Sequence, residues 1–308
     1  MRLVRKVVKL VLLAVLVLLI LLISLVIWIV LRPAVPDNYT KTVRTGGEIE
    51  AAYLASGRHT VKYTEAEAPG DWKKFEIYYP EEVAESGDTY PVVVLVNGTG
   101  IAGSKYRSLF RHLASWGFIA LGTEDPSTCT GASADAALAW LLEENDRENS
   151  LFYKKVDLDN IGISGHSQGG VGVFNAVTVN SHSSLYKTAV ALSPTNEEGA
   201  AALNMFYDLT RLSIPALLLA GTEGDFETKL VIPFEQMEKM YRRMDVPKAM
   251  ARRTGSAHEQ MLYEADGYVT AWLMWQLQGD ETAARAFTGL NPELACNALY
   301  QDQRIDLE

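Results

Sequence analysis

Between residues 73 and 253 the chain repeats one pattern. A short apolar run, closed by glycine or a turn residue, is followed by a segment with helical spacing. Tyr90–Gly100 (YPVVVLVNGTG) is the clearest run: five β-branched or leucine positions in a row, with no polar alternation. A strand that is apolar on both faces must be covered on both faces, which is the situation in a parallel sheet. GFIALG (117–122), DNIGISG (159–165), TAVALS (188–193) and IPALLLAG (214–221) repeat the pattern, and Lys248–Arg253 is a further strand. Lys73–Tyr79 alternates and ends at Pro80. Helical spacing lies between them at Lys105–Trp116, Ser133–Asn145, Gln168–Val179 and Pro233–Met244, and Tyr263–Gln278 closes the series. Ser133 is a candidate N-cap of the second of these. The closing helix has an apolar face built from Val269, Trp272, Leu273 and Leu277. Alternation of strand and helix with continuous apolar strands predicts an α/β domain, its mostly parallel sheet covered by helices on both sides.

The first 32 residues follow another rule. Leu10–Leu31 is a run of 22 residues in which Ser24 alone is polar, with Arg2, Arg5, Lys6 and Lys9 before it and Arg32 after it. As a helix at ~1.5 Å per residue it reaches about 33 Å, enough to cross a bilayer. A cleaved signal peptide has a shorter apolar core, about 7–15 residues, and small residues at its cleavage site. Arg32-Pro33-Ala34-Val35-Pro36 does not supply them, so the run reads as an uncleaved signal anchor. The positive-inside rule then puts residues 1–32 partly in the cytoplasm and the remaining chain on the extracytoplasmic side of the cell membrane, single-pass. Residues 33–45 read as a juxtamembrane linker, and 46–308 as one domain.

Charge narrows the partners. The whole chain carries −10. Removing the basic first segment leaves 23 basic against 38 acidic residues, a formal charge of −15. Such a surface repels nucleic acid and anionic lipid. Cys129 and Cys296 belong to no metal-binding spacing, and they read equally as one disulfide or two thiols. Asn38 and Asn97 head glycosylation sequons; the second is expected to be spurious if its loop lines a site.

Gly165-His166-Ser167-Gln168-Gly169 fits G-x-S-x-G. Alone, such a pentapeptide is weak evidence. Here Ile161-Gly162-Ile163 precedes it as a strand, and Val171, Val173, Phe174 and Val177 follow it as a packed helix. Strand, sharp turn and helix form a nucleophile elbow, which lifts the serine hydroxyl above the sheet edge in a strained conformation. The Gln168 N–H, at the helix start, then faces a developing oxyanion. A serine needs a base, which this setting puts late in the chain, with an acid between. Of the five histidines, His258 in RTGSAHEQM follows the last expected strand. His59 precedes the sheet, His112 and His182 sit on or beside helices, and His166 is expected to point away. LLLAGTEGDFET offers Glu223, Asp225 and Glu227 beyond a buried strand; Asp225 is the choice, with Glu223 in reserve. The second oxyanion donor is expected from VNGTG (96–100), as the Thr99 backbone N–H.

GHSQGG, LVNGTG, HLASWGFIAL, LLLAGTEGD and SAH stand in the order and spacing of α/β-hydrolases. The chain resembles most closely the group of bacterial cutinases, polyester hydrolases, chlorophyllases and dienelactone-hydrolase-like proteins, over roughly residues 70–290. The resemblance implies an α/β-hydrolase fold and a serine carboxylic-ester hydrolase. It implies Ser167 as nucleophile, Asp225 as acid, His258 as base, and Thr99 and Gln168 as oxyanion donors, with neither cofactor nor metal. Members of the polyesterase branch usually carry an aromatic residue where Thr99 stands, Met where Gln168 stands, and a Trp soon after the strand matching TAVALS. Those positions shape the acyl pocket. Two rival functions share these features: an amidase or peptidase with the same triad, and a silent, membrane-held binding module. Only about 20 residues, Ser193 to Ser213, separate the strand after the elbow helix from the strand before the acid. That length allows one short helix, not a lid domain.

Overall fold

The computed structural model describes residues 2–308, with only the backbone of helix residues 2–4, 7, 8, 11 and 25–31. Two compact units divide the chain, residues 1–34 and Val35–Glu308.

The first unit is the helix Arg2–Leu31. Leu10, Leu12, Leu13 and residues 15–23 present exposed apolar side chains along it. Among the described residues no helix is long and apolar enough to cross a membrane. The span expected at Leu10–Leu31 falls partly on residues 11 and 25–31, whose side chains lie outside the described ones.

The second unit is built on one nine-stranded sheet. Its strands are β1 (Val61–Glu67), β2 (Lys74–Pro80), β3 (Tyr90–Val96), β4 (Ile119–Thr123), β5 (Val156–His166), β6 (Tyr186–Leu192), β7 (Ala216–Gly221), β8 (Lys248–Arg253) and β9 (Tyr300–Asp306). Their order across the sheet is β1-β2-β4-β3-β5-β6-β7-β8-β9. The six strands from β4 to β8 run parallel. β1, β2 and β9 pair antiparallel at the two edges. This is the mostly parallel, helix-covered sheet of the α/β-hydrolase fold.

The parallel strands are the continuous apolar runs of the sequence. Val92, Val93, Val94, Ile119, Leu121, Ile161 and Ile163 are fully buried, and the β7 residues Leu217–Leu219 nearly so. Removing such side chains from water contributes roughly 1.5–3 kcal/mol each, which is why the β-branched runs converge on the centre. The edge strands β1 and β9 lie outside the strands that the sequence pattern predicts. Their sequences VKYTEAE and YQDQRID are largely polar and solvent-facing, as edge strands are. The closing helix begins later than expected, at Asp266, and Val269, Trp272, Leu273 and Leu277 are its buried face as predicted. Ser133 is not an N-cap. Gly131, in the left-handed region at φ 71°, holds that place, and Ser133 is buried in the first turn.

The linker expected at 33–45 is corrected as well. Val35 and Tyr39 are buried in the second unit, and the Tyr39 hydroxyl donates to Asp266 Oδ2 at 2.5 Å. Asp37 pairs with Arg107. Two apolar side chains and a buried hydroxyl with a carboxylate partner gain more by packing than a solvated tether would. The segment therefore belongs to the domain. Cys129 and Cys296 are free thiols. Asn38 is exposed, whereas Asn97 is buried, so the second sequon is unavailable to a glycan.

Candidate active site

β5 delivers Ser167 at its carboxyl end, between His166 in the strand and the helix Gln168–Thr178. Ser167 has φ 59° and ψ −124°, a conformation that L-residues rarely adopt. Two glycines allow it. A side chain on Gly165 would sit 2.4 Å from the Gly169 carbonyl oxygen, and one on Gly169 would sit 2.1 Å from the Val96 carbonyl oxygen. The turn is held by Ser167 N–H to the Leu192 carbonyl, 2.9 Å, and Gly170 N–H to the Ser167 carbonyl, 2.9 Å. This is the strand–turn–helix geometry of the nucleophile elbow.

His258 stands in a short 3₁₀ turn after β8 and is buried. The turn is fixed by Ala257 N–H donating to the Gln260 side chain at 2.8 Å. The His258 ring lies against the ring of His166, centroids 4.4 Å apart, and meets Phe226 edge-on at 5.0 Å. His166, expected to point away, is instead packed against the His258 ring. Its Nε2–H donates to the His258 carbonyl at 2.8 Å. Burial, and then the neighbouring His258, hold the His166 pKa down to about 3, so this ring is neutral at physiological pH.

The carboxylate that meets His258 is not the expected Asp225. Asp225 is exposed and pairs with Lys229 one helical turn on, at 2.9 Å. Glu227 is the carboxylate on His258: its Oε2 accepts from His258 Nδ1 at 2.6 Å. It is completely buried. Its Oε1 accepts from the Ser193 hydroxyl at 2.5 Å and from the Gly221 N–H at 2.7 Å. A buried carboxylate with three donors is fully compensated for its lost hydration. The reason for the shift is local. Residues Phe226–Val231 form one turn of π-helix, closed by Ile232 N–H to the Glu227 carbonyl at 2.9 Å. That turn carries residue 227 inward and leaves 225 outside. Glu223 lies on the exposed turn before it, its N–H donating to the Ser256 carbonyl. The sequence held a signal: Asp225 and Lys229 are spaced as an exposed i, i+4 pair.

Thr99 is exposed on the loop after β3. The neighbouring amides are all engaged: Gly98 N–H with the Tyr106 hydroxyl at 3.0 Å, Gly100 N–H with Pro126, and Ile101 N–H with Gly98. Thr99 N–H has no partner among the described hydrogen bonds. Gln168 opens the elbow helix, where first-turn amides lack intrahelical acceptors. Between Ser193 and Ser213 lie the short helix Glu197–Ala202 and the 3₁₀ turn Leu209–Arg211, with no inserted domain. Among the described residues no group of three His, Cys, Asp or Glu is arranged to hold a metal ion.

Residues 39–293 match the family described as PETase, PET hydrolase-like. The chain belongs to this PET hydrolase-like family. A stretch of 123 residues is 29% identical to chlorophyllase-1, chloroplastic, of Citrus unshiu, covering 38% of this chain and 36% of that protein. The corresponding protein of Citrus sinensis is 29% identical over 92 residues, 28% of each chain. The chain thus spans about a third, or less, of the length of these curated relatives.

Proposed function

We propose that this chain is a serine carboxylic-ester hydrolase held at the cell membrane by its N-terminal helix. The observation that carries the reading is the buried Glu227–His258 pair beside the strained turn of Ser167. Ser167 Oγ attacks the acyl carbon while His258 Nε2 takes its proton. Glu227 accepts the Nδ1–H, fixes the tautomer and stabilises the imidazolium. The tetrahedral oxygen is received by the Thr99 and Gln168 amides, each worth about 3 kcal/mol in such sites. His258 then protonates the leaving alcohol and activates water to free the acyl group. Membership of the PET hydrolase-like family and similarity to chlorophyllases support an ester over an amide.

The loops around the site favour an apolar substrate. Ile101, Leu203, Phe206, Phe226 and Leu230 are exposed on the segments that carry Thr99, Met205 and Glu227. For the anchor, the support is the basic cluster ahead of the apolar run, which orients the domain to the extracytoplasmic side.

The test is mass spectrometry of the protein after a fluorophosphonate probe, alongside hydrolysis of p-nitrophenyl butyrate. A single adduct on Ser167, lost in Ser167→Ala together with activity, is expected. Full activity in Ser167→Ala would overturn the mechanism. A folded wild type that takes no probe would make the chain a binding module.

A further inference from the structure

We infer that Thr128 is a positioning residue that sets the gap between the two oxyanion donors, Thr99 and Gln168. The inference rests on the ester-hydrolase reading above. The two donors come from different elements, the loop after β3 and the start of the elbow helix, and a third element bridges them. Thr128, in a 3₁₀ turn after β4, is buried. Its hydroxyl donates to the Asn97 carbonyl at 2.7 Å, two residues before Thr99. Its backbone N–H donates to Gln168 Oε1 at 3.1 Å. One residue thus ties the root of one donor loop to the side chain of the other donor.

Both ends of this strut are firm. The Asn97 amide donates to the Ile101 carbonyl at 2.5 Å and to the Asp125 carbonyl at 2.6 Å, which closes the loop around Thr99 and joins it to the Thr128 segment. Its Oδ1 is buried with no partner among the described residues, so the two donor bonds alone orient it. The Gln168 side chain is buried, and its Nε2 donates to Met205 Sδ at 3.3 Å. Nor is there slack behind the turn: a Cβ on Gly172 of the elbow helix would stand 2.3 Å from the Thr128 carbonyl oxygen. The Gln168 carboxamide oxygen is the acceptor that the Thr128 N–H uses, and a methionine thioether would replace it only weakly. Donor geometry matters because each N–H gives its full stabilisation only when it meets the oxygen at bonding distance in the transition state.

The test uses the full chain, with p-nitrophenyl butyrate as substrate and a phenylboronic acid, which forms a tetrahedral adduct on a reactive serine. Thr128→Val keeps the shape and removes the hydroxyl. Expected are a kcat lower by about tenfold, a nearly unchanged KM, and boronate binding weakened by about the same factor. Thr128→Ser should restore both, and Gln168→Met should weaken both. A residue that merely supports the fold would lower the melting temperature and leave the kcat–KM split and the boronate affinity alone. Unchanged kcat and boronate affinity in Thr128→Val would end the inference. Should that variant fail to fold, unchanged values in Gln168→Met would end it instead. A wild type that neither hydrolyses the ester nor takes the fluorophosphonate probe ends the reading and the inference together, whereas an active wild type with indifferent variants ends the inference alone.

Discussion

Two carboxylates stand two positions apart, and only one of them touches His258. Asp225 is a solvent-facing partner of Lys229, while Glu227 has no exposed surface and three donors. Exposed ion pairs of this kind contribute little. Asp225→Asn should therefore leave ester hydrolysis within twofold of wild type. Glu227→Gln keeps the shape, but its amide removes the charge that holds the imidazolium and can favour the wrong tautomer. Its kcat should fall by about 10³-fold or more, measured on the same ester with the melting temperature recorded alongside. From the sequence, Ser167 and His258 could be picked out because their surroundings are local: glycines at fixed offsets, and a loop after an apolar run. The carboxylate that meets His258 was not legible in the same way. Three acidic residues in five positions differ only in which way a turn carries them, and a π-turn is invisible to residue propensity. His166 was misread for a similar reason, since its role depends on a ring 92 positions away.

At the scale of elements, the parallel strands were plain because burial on both faces leaves one kind of residue to choose from. β1 and β9 were hidden because an edge strand can be as polar as a loop. The segment before β1 escaped notice too, although it is wired into the domain. Glu50, in the helix Glu48–Leu54, is buried against Arg253 of β8 at 2.8 Å, the Tyr300 hydroxyl at 3.1 Å, and Asn297 at 2.9 Å. Arg253 in turn reaches Glu264, which binds Ser256 two residues before His258. Removing one member of a buried ion pair strands the other. Glu50→Gln should cost about 3 kcal/mol of unfolding free energy, read from urea denaturation of the domain. A chain that begins at residue 35 should keep this network and fold. One that begins at residue 58 should lose it.

Across the whole molecule, two buried histidines pull the pH dependence of stability in opposite directions. His166 has its pKa lowered to about 3 from the ordinary 6.5, by burial and then by His258. The unfolded chain binds that proton first. The stability this histidine gives is present above about pH 6.5 and is lost as pH falls towards 3. His112 is the reverse. Burial would lower its pKa, but the Asp266 carboxylate at 2.7 Å, with the carbonyls of Ala55 and Leu54, raises it overall. Here the folded state holds the proton more tightly. That contribution is complete below about pH 6.5 and is lost as pH rises through the folded value. Taken together the pair should place a stability maximum near neutrality, slightly to the acid side. Melting temperatures from pH 4 to 9 should show it. His112→Gln should flatten the alkaline limb, and His166→Gln the acid limb.

The single π-turn at Phe226–Val231 is one residue wider than an ordinary helical turn. Inserting one alanine after Lys229, which touches neither His258 nor Ser193, would lengthen the segment by one residue with no wider turn to absorb it. Each residue of an α-helix advances by about 100° around its axis, so the insertion turns the start of the segment relative to its end. Glu227 would swing out of reach of His258 with Ser167 and His258 still present. The register of one helical turn therefore works as a length gauge for the Glu227–His258 pair: an insertion here should abolish ester hydrolysis, while circular dichroism reports an intact fold.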